Sequence, residues 1–186
     1  MSQPIPCYVS GKGMHATEVT RDFKVAVIGL LEESGAGYDT RYRYYRGQFP
    51  NMAAAALARM ICDPIEYYDQ DWPAWRAAQP DERSELECVT AFFLERDTLF
   101  RAEAQAAVYC FDEAGFGSGI NAMRFIQAGK PLLGFYWHRI GERPVNFGNV
   151  LQLQLEYPAL VSLQPYQSLF DVLPRVEQWL EGLRSR

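Results

Sequence analysis

Histidine and cysteine are scarce in this chain, with two of the first and four of the second among 186 residues. Cys7, Cys62, Cys88 and Cys110 stand far apart with no C-x-x-C, and His15 and His138 are too few to complete a structural zinc set, so no metal site is expected. Reduced thiols of a cytosolic protein fit this usage best. Long hydrophobic runs are also missing. The richest stretches are cut by Arg, Glu or Asp well short of the about 20 apolar residues that a bilayer span requires, so no membrane crossing is expected. Met1-Ser2-Gln3-Pro4-Ile5-Pro6 has neither the basic start nor the apolar core of a signal peptide, which points to the cytoplasm. Positive charge is short as well. Lys and Arg number 18 against 23 Asp and Glu, a net charge of −5, which argues against a long basic face for nucleic acid and leaves room for a local patch toward a small anion.

What remains is an ordinary globular composition, 48% hydrophobic, 14% aromatic and 22% charged, enough for one folded domain. The run Ile5 to Val9 reads as a strand, Ser10-Gly11-Lys12-Gly13 as a glycine loop, and Val19, Phe23, Val27, Leu30 and Leu31 as one helix face ending near Gly35. Tyr38 to Tyr45, rich in aromatic residues, predicts a second strand. Met52 to Ile61 is alanine-rich and helical. Pro64, Pro73 and Pro80 then break up Ile65 to Trp72, so residues 51–82 read as a helical insertion or lid. From Arg83 to about Ala104, Leu86, Val89, Phe93, Phe100 and Ala104 mark the apolar stripe of a long helix, and Asp97 falls on that stripe. A charge-free strand follows at Ala106 to Phe111. The chain then turns through Gly115-Phe116-Gly117-Ser118-Gly119 into a helix at about Ile120 to Ala128, ended by Gly129. Pro131 to Trp137 reads as a strand, Phe147 to about Leu155 as a helix, Ala159 to Leu163 as a fifth strand, and Leu169 to Leu183 as a closing helix. Strands alternating with helices predict a parallel sheet covered on both faces, with ligands at the carboxyl ends of the strands.

Three groups of residues fall at those ends. Gly117, Ser118 and Gly119 let backbone N–H groups approach a phosphate, a sugar or a carboxylate at a helix's positive end, although a tight connection alone explains such a turn equally well. The run is not a full G-x-G-x-x-G, because Ala122 occupies its last position. Lys12, between two glycines, could meet an anion or simply be solvated. Asp97 on an apolar stripe needs a cationic partner, Arg96 or Arg101, or a function in proton transfer or in holding a hydroxyl. Tyr8 is a core or a site residue, Cys110 an inert buried thiol, and His138 belongs to no triad.

The stretches Glu95 to Phe100, Ala104 to Phe111, Gly117-Ser118-Gly119-Ile120-Asn121 and Gly129-Lys130-Pro131 resemble the nucleoside 2-deoxyribosyltransferase family and its relatives, the nucleoside 5′-monophosphate N-glycosidases. The spacing from Asp97 to Lys130 matches without a gap. Pro6 to Gly11 resembles the family's opening strand, and Arg143-Pro144-Val145-Asn146 its K-P-x-N segment. About half the chain is covered, and the insertion is not. The resemblance implies a flavodoxin-like (Rossmann-like), doubly wound, five-stranded parallel sheet over residues 1–186, assembly as a homodimer or higher oligomer, and cleavage of a sugar–base bond without a cofactor. It implies Asp97 as acid or hydroxyl anchor, Tyr8 beside the sugar, and Gly11 and Lys12 near the 5′ end. Gly117, Ser118 and Gly119 would contact substrate, and Asn146 would reach a neighbouring subunit's site.

Asn121 stands where the family has its nucleophilic Glu. A neutral amide is a poor nucleophile toward an oxocarbenium-like carbon, so hydrolysis assisted by Asp97 is expected rather than transfer, with Asn121 hydrogen-bonding a hydroxyl. The alternatives are a non-catalytic nucleoside or nucleotide binder, which Asn121 favours, and a flavodoxin-like domain with no nucleoside link. In the last, Tyr67, Tyr68, Trp72 and Trp75 form a protein-contact surface, or else a lid packed on the core.

Overall fold

A computed structural model describes residues 3–13, 16–62, 68–137 and 147–185. Five strands, β1 (Ile5–Ser10), β2 (Gly37–Asp39), β3 (Ala106–Cys110), β4 (Leu132–Trp137) and β5 (Val161–Tyr166), form an all-parallel sheet in the order β2-β1-β3-β4-β5. This is the doubly wound, flavodoxin-like α/β fold expected from the alternation of elements. Every residue of β3 is buried, as its charge-free sequence requires of a strand covered on both faces.

The chain winds left from β1 to β2 and then right to β3, so right-handed crossovers send the helices to opposite faces. On one face lie α1 (Glu18–Ser34) and α8 (Leu169–Arg184), in contact with each other. Phe23 of α1 meets Phe135 and Tyr166 there, at ring separations of 5.6 and 5.8 Å. On the other face Phe125 of α6 (Phe116–Gln127) covers Tyr8 at 5.5 Å and Tyr109 at 6.5 Å. The remaining helices are α2 (Thr40–Gln48), α3 (Ala54–Cys62), α4 (Trp72–Ala77), α5 (Glu85–Glu103) and α7 (Phe147–Glu156). No helix of the described residues is long and apolar enough to cross a membrane.

Four expectations change. The second strand ends at Asp39, and Tyr42 to Tyr45 are helical. The Asp39 carboxylate accepts from the Tyr42 amide at 2.9 Å and caps α2, outweighing the strand preference of the aromatic residues that follow. The long helix begins at Ser84 with a capping box to Glu87, but its buried face is Cys88, Phe92, Phe100 and Arg101. Leu86 is 77% exposed, because Trp72 and Trp75 take Phe92, not Phe93, edge-on at 5.2 and 5.3 Å and so set the helix's rotation. Helix α6 starts at Phe116, which places Gly117, Ser118 and Gly119 in its first turn rather than in a loop before it. The last strand runs Val161–Tyr166, later than Ala159 to Leu163, because the chain first closes a turn in which the Leu160 and Val161 amides donate to Tyr157.

Candidate functional site

The strand order reverses between β1 and β3, and the crevice beyond the carboxyl ends of these two strands is where doubly wound sheets place ligands. Tyr8 on β1, Asp97 and Arg101 on α5 and Asn121 on α6 meet there. The Tyr8 hydroxyl donates to Asp97 Oδ1 at 2.9 Å. Asn121 Nδ2 donates to Asp97 Oδ2 at 3.4 Å, and its own amide oxygen accepts from Arg101 Nη1 at 2.8 Å. Arg101, one turn beyond Asp97, lies 3.7 Å from Oδ2 and also donates to Thr98 Oγ1 at 2.9 Å. Of the two cations foreseen for Asp97, Arg101 is therefore the partner. Arg96 turns away to Asp69 at 2.9 Å and Asp71 at 2.6 Å.

Asp97 is not the buried carboxylate that its place on an apolar stripe suggested. The rotation of α5 leaves its side chain 36% exposed at the mouth of the crevice, while Arg101 beneath it is 9% exposed. Each carboxylate oxygen has two lone pairs, and the three neighbours leave acceptor capacity facing solvent. Tyr8 is buried beneath it. Burial, and then the negative charge of Asp97, push the Tyr8 hydroxyl well above its ordinary value, so it stays a donor. The buried Arg41 guanidinium lies over the Tyr8 ring, 4.8 Å from its centroid, donates to the Val9 carbonyl and sits 3.7 Å from Asp39.

The glycine loop after β1 is tied down from two sides. Ser118 Oγ in the first turn of α6 donates to the Gly11 carbonyl at 3.0 Å, and a Cβ at Gly11 would stand 3.1 Å from the Cys110 carbonyl oxygen. The buried Lys24 ammonium donates to the carbonyls of Lys12 at 2.8 Å and Cys62 at 2.6 Å. Lys12 does meet an anion, the chain's own Glu113 at 3.7 Å. Glu113 also accepts from the Thr17 amide at 2.9 Å, the Thr17 hydroxyl at 2.8 Å and the Thr20 hydroxyl at 2.6 Å. Partial burial pushes this carboxyl up, but the Thr20 and Thr17 donors and Lys12 outweigh it and hold Glu113 below its ordinary range. The first turn of α6, by contrast, has no side-chain cap and no acidic residue, and nothing stands within 4 Å of a Cβ built at Gly117 or Gly119.

Asp112 gathers a second cluster below β4 and β5, accepting from the Trp137 amide and the Tyr166 hydroxyl, with Cys110 Sγ at 3.5 Å. Burial, then the Asp112 charge, push the Cys110 thiol up to about 12, as befits an inert buried thiol. Among the described residues no group of His, Cys, Asp and Glu could hold a metal ion. Asn146, the segment containing Arg143 and His138 lie outside the described residues. Sequence reasoning missed Arg41, which the strand reading of Tyr38 to Tyr45 hid.

Fold and crevice define a doubly wound α/β protein with a carboxylate-centred site at its topological switch point. No family model matches the chain, and no curated protein matches it. Among solved structures it is similar to DNA processing protein A from Helicobacter pylori, described for its single-stranded DNA binding mode. The identity is 12% and the TM-score 0.48, over 95% of this chain and 81% of that chain. The expectation of a nucleoside or nucleotide N-glycosidic bond enzyme, with its alternative of a nucleoside or nucleotide binder, is corrected on this finding, since the structure that resembles the chain is of a DNA-binding protein. The exclusion of nucleic acid as a partner is corrected with it. At this identity and score the likeness concerns the fold and lends this chain no ligand and no residue role.

Proposed function

We propose that the crevice beyond β1 and β3 binds a phosphorylated polyhydroxy group, with Asp97 accepting from its hydroxyls and the first turn of α6 receiving its phosphate. The carrying observation is the half-exposed Asp97 carboxylate, fixed by Tyr8 at 2.9 Å and by Asn121 on α6. A carboxylate pre-oriented by a buried hydroxyl, with acceptor capacity left toward water, is suited to hold donors of a ligand. The uncapped turn Phe116 to Gly119 lies about 7.5 Å nearer the helix start than Asn121, so its free N–H groups and positive dipole end flank the same crevice. Ser118 and Gly11 hold that turn against β1, and Gly117 and Gly119 leave its backbone uncovered. Lys12, already paired with Glu113, has a lesser share in this reading.

Such chemistry occurs on a free sugar phosphate and in a nucleic-acid backbone. Thermal shift and calorimetry with ribose 5-phosphate, ribose, inorganic phosphate and a short single-stranded oligonucleotide distinguish them. A ligand at one hundred times its Kd stabilises by about 2.7 kcal/mol, a shift of about 5–10 °C for a chain of this size. Binding of ribose 5-phosphate that exceeds that of ribose or phosphate alone, and that is lost in Asp97→Asn, is expected. Binding of the oligonucleotide with none of ribose 5-phosphate assigns the crevice to the polymer. No binding of either, or binding unchanged in Asp97→Asn, overturns the reading.

A further inference from the structure

The 51–82 segment is anchored beside Asp97 by a buried carboxylate. Asp69 is 5% exposed and accepts from Tyr45 Oη at 3.0 Å, Arg96 Nε at 2.9 Å, Gln48 Nε2 at 3.3 Å and the Asp71 amide at 2.8 Å. These bonds fix where its neighbour Tyr68 lies. The half-buried Tyr68 ring packs edge-on against Tyr45, centroids 5.0 Å apart at 76°. Tyr45 is one helical turn beyond Arg41 on α2, so the two side chains share a helix face, and Arg41 lies over the Tyr8 ring. Arg96, the other anchor, immediately precedes Asp97 on α5. Tyr68 is thus held from α2 and from α5 at the place where both helices meet the crevice. Consistent with this, burial raises its hydroxyl, and Arg41, Cys62, Asp69 and Asp97 are the groups whose charges act on it.

We propose that Tyr68 forms the wall of the Asp97 crevice opposite Tyr8 and is a specificity-determining residue, selecting ring-shaped over open-chain polyol phosphates. This rests on the function proposed above for the same crevice. An aromatic face offers a flat apolar surface that a closed sugar ring can cover and a short flexible chain cannot. The insertion then has a defined role: Asp69 is its anchor, and Tyr68 is the group it delivers.

Two measurements on the intact chain test this. The first needs no ligand. Carboxyl footprinting with a water-soluble carbodiimide, read by mass spectrometry, reports water access to Asp97. In Tyr68→Ala the Asp97 labelling is expected to rise severalfold, in Tyr68→Phe to stay at the wild-type level, and Glu113 serves as internal control. Equal Asp97 labelling in the wild type and Tyr68→Ala, with Glu113 unchanged, overturns the placement of Tyr68. A rise at both carboxylates indicates unfolding of the Ala variant, and a bulky Tyr68→Leu, expected to restore protection of Asp97, then decides: failure to restore it overturns the placement. The second measurement compares ribose 5-phosphate with glycerol 3-phosphate by calorimetry. Tyr68→Ala should lower the ratio of their affinities about three- to tenfold, and Tyr68→Phe should preserve it. An unchanged ratio in a variant that still binds overturns the specificity role and leaves the Asp97 site standing. A wild type that binds neither probe overturns both the site and its specificity.

Discussion

Tyr8 and Glu113 show how single groups decide this site. Tyr8 is buried on β1, and its hydroxyl can reach a partner only because α5 lays Asp97 above it. Tyr8→Phe removes the 2.9 Å hydrogen bond while leaving the ring against Phe125, so the loss should be about 0.5–1.5 kcal/mol, measured from urea midpoints. Glu113 offers a pH-dependent counterpart. Its folded value lies below the ordinary 4.5, so its stabilisation is present above that ordinary value and is lost as pH falls through the folded one. Wild type should exceed Glu113→Gln by about 1–2 kcal/mol at pH 7, and the two curves should converge below about pH 4. A gap that persists at pH 3 would mean that Glu113 acts through packing and not through its charge. The residue types were legible in the sequence: Asp97 declared itself as a carboxylate among apolar positions, and Tyr8 and Asn121 by resemblance. Their mutual geometry was not, because the Arg101–Asn121–Asp97 chain depends on how two helices rotate against each other.

At the scale of elements, hydrophobic period located nearly every helix and strand, and local chemistry set the boundaries. Asp39 as an N-cap turned a tyrosine-rich segment that reads as strand into α2. That brought Arg41 to the crevice, a residue no strand reading would place there. Trp72 and Trp75, distant in sequence from Phe92, set the rotation of α5 and so the exposure of Asp97, and no period within α5 carries that information. Close approach in the sheet gives a prediction at this scale. A Cβ at Gly134 would meet the Phe111 ring, and it would stand 2.6 Å from Leu163 Cδ2 in a fully packed interior. Gly134→Ala should cost about 1–3 kcal/mol by overpacking, visible as a lowered melting temperature. Paired with Phe111→Leu, it should recover part of that loss, and a double mutant no more stable than the sum of the two single changes would place the strain elsewhere.

For the whole molecule, a net charge of −5 and an all-parallel sheet with one open crevice constrain what any phosphate-bearing ligand can do. The cations near the site are largely committed within the chain: Lys12 to Glu113, Arg101 to Asn121 and Asp97, Arg41 to Val9 and Asp39, and Arg96 to Asp69 and Asp71. What the fold leaves for an anion is a helix start, which receives one phosphate and not a row of them. Binding of a single strand is therefore expected to be local. Each phosphate neutralised on a single strand contributes a slope of about −0.7 in log K against log salt, so a site holding one or two gives about −0.7 to −1.4. Affinity should stop rising beyond about two nucleotides, because no basic track continues from the crevice to capture more. A fluorescence titration of thymidine oligomers from two to twelve nucleotides, repeated across a salt series, tests both expectations together. A slope steeper than about −3, or an affinity that climbs steadily with length, would mean that the chain grips nucleic acid along a surface away from the Asp97 crevice.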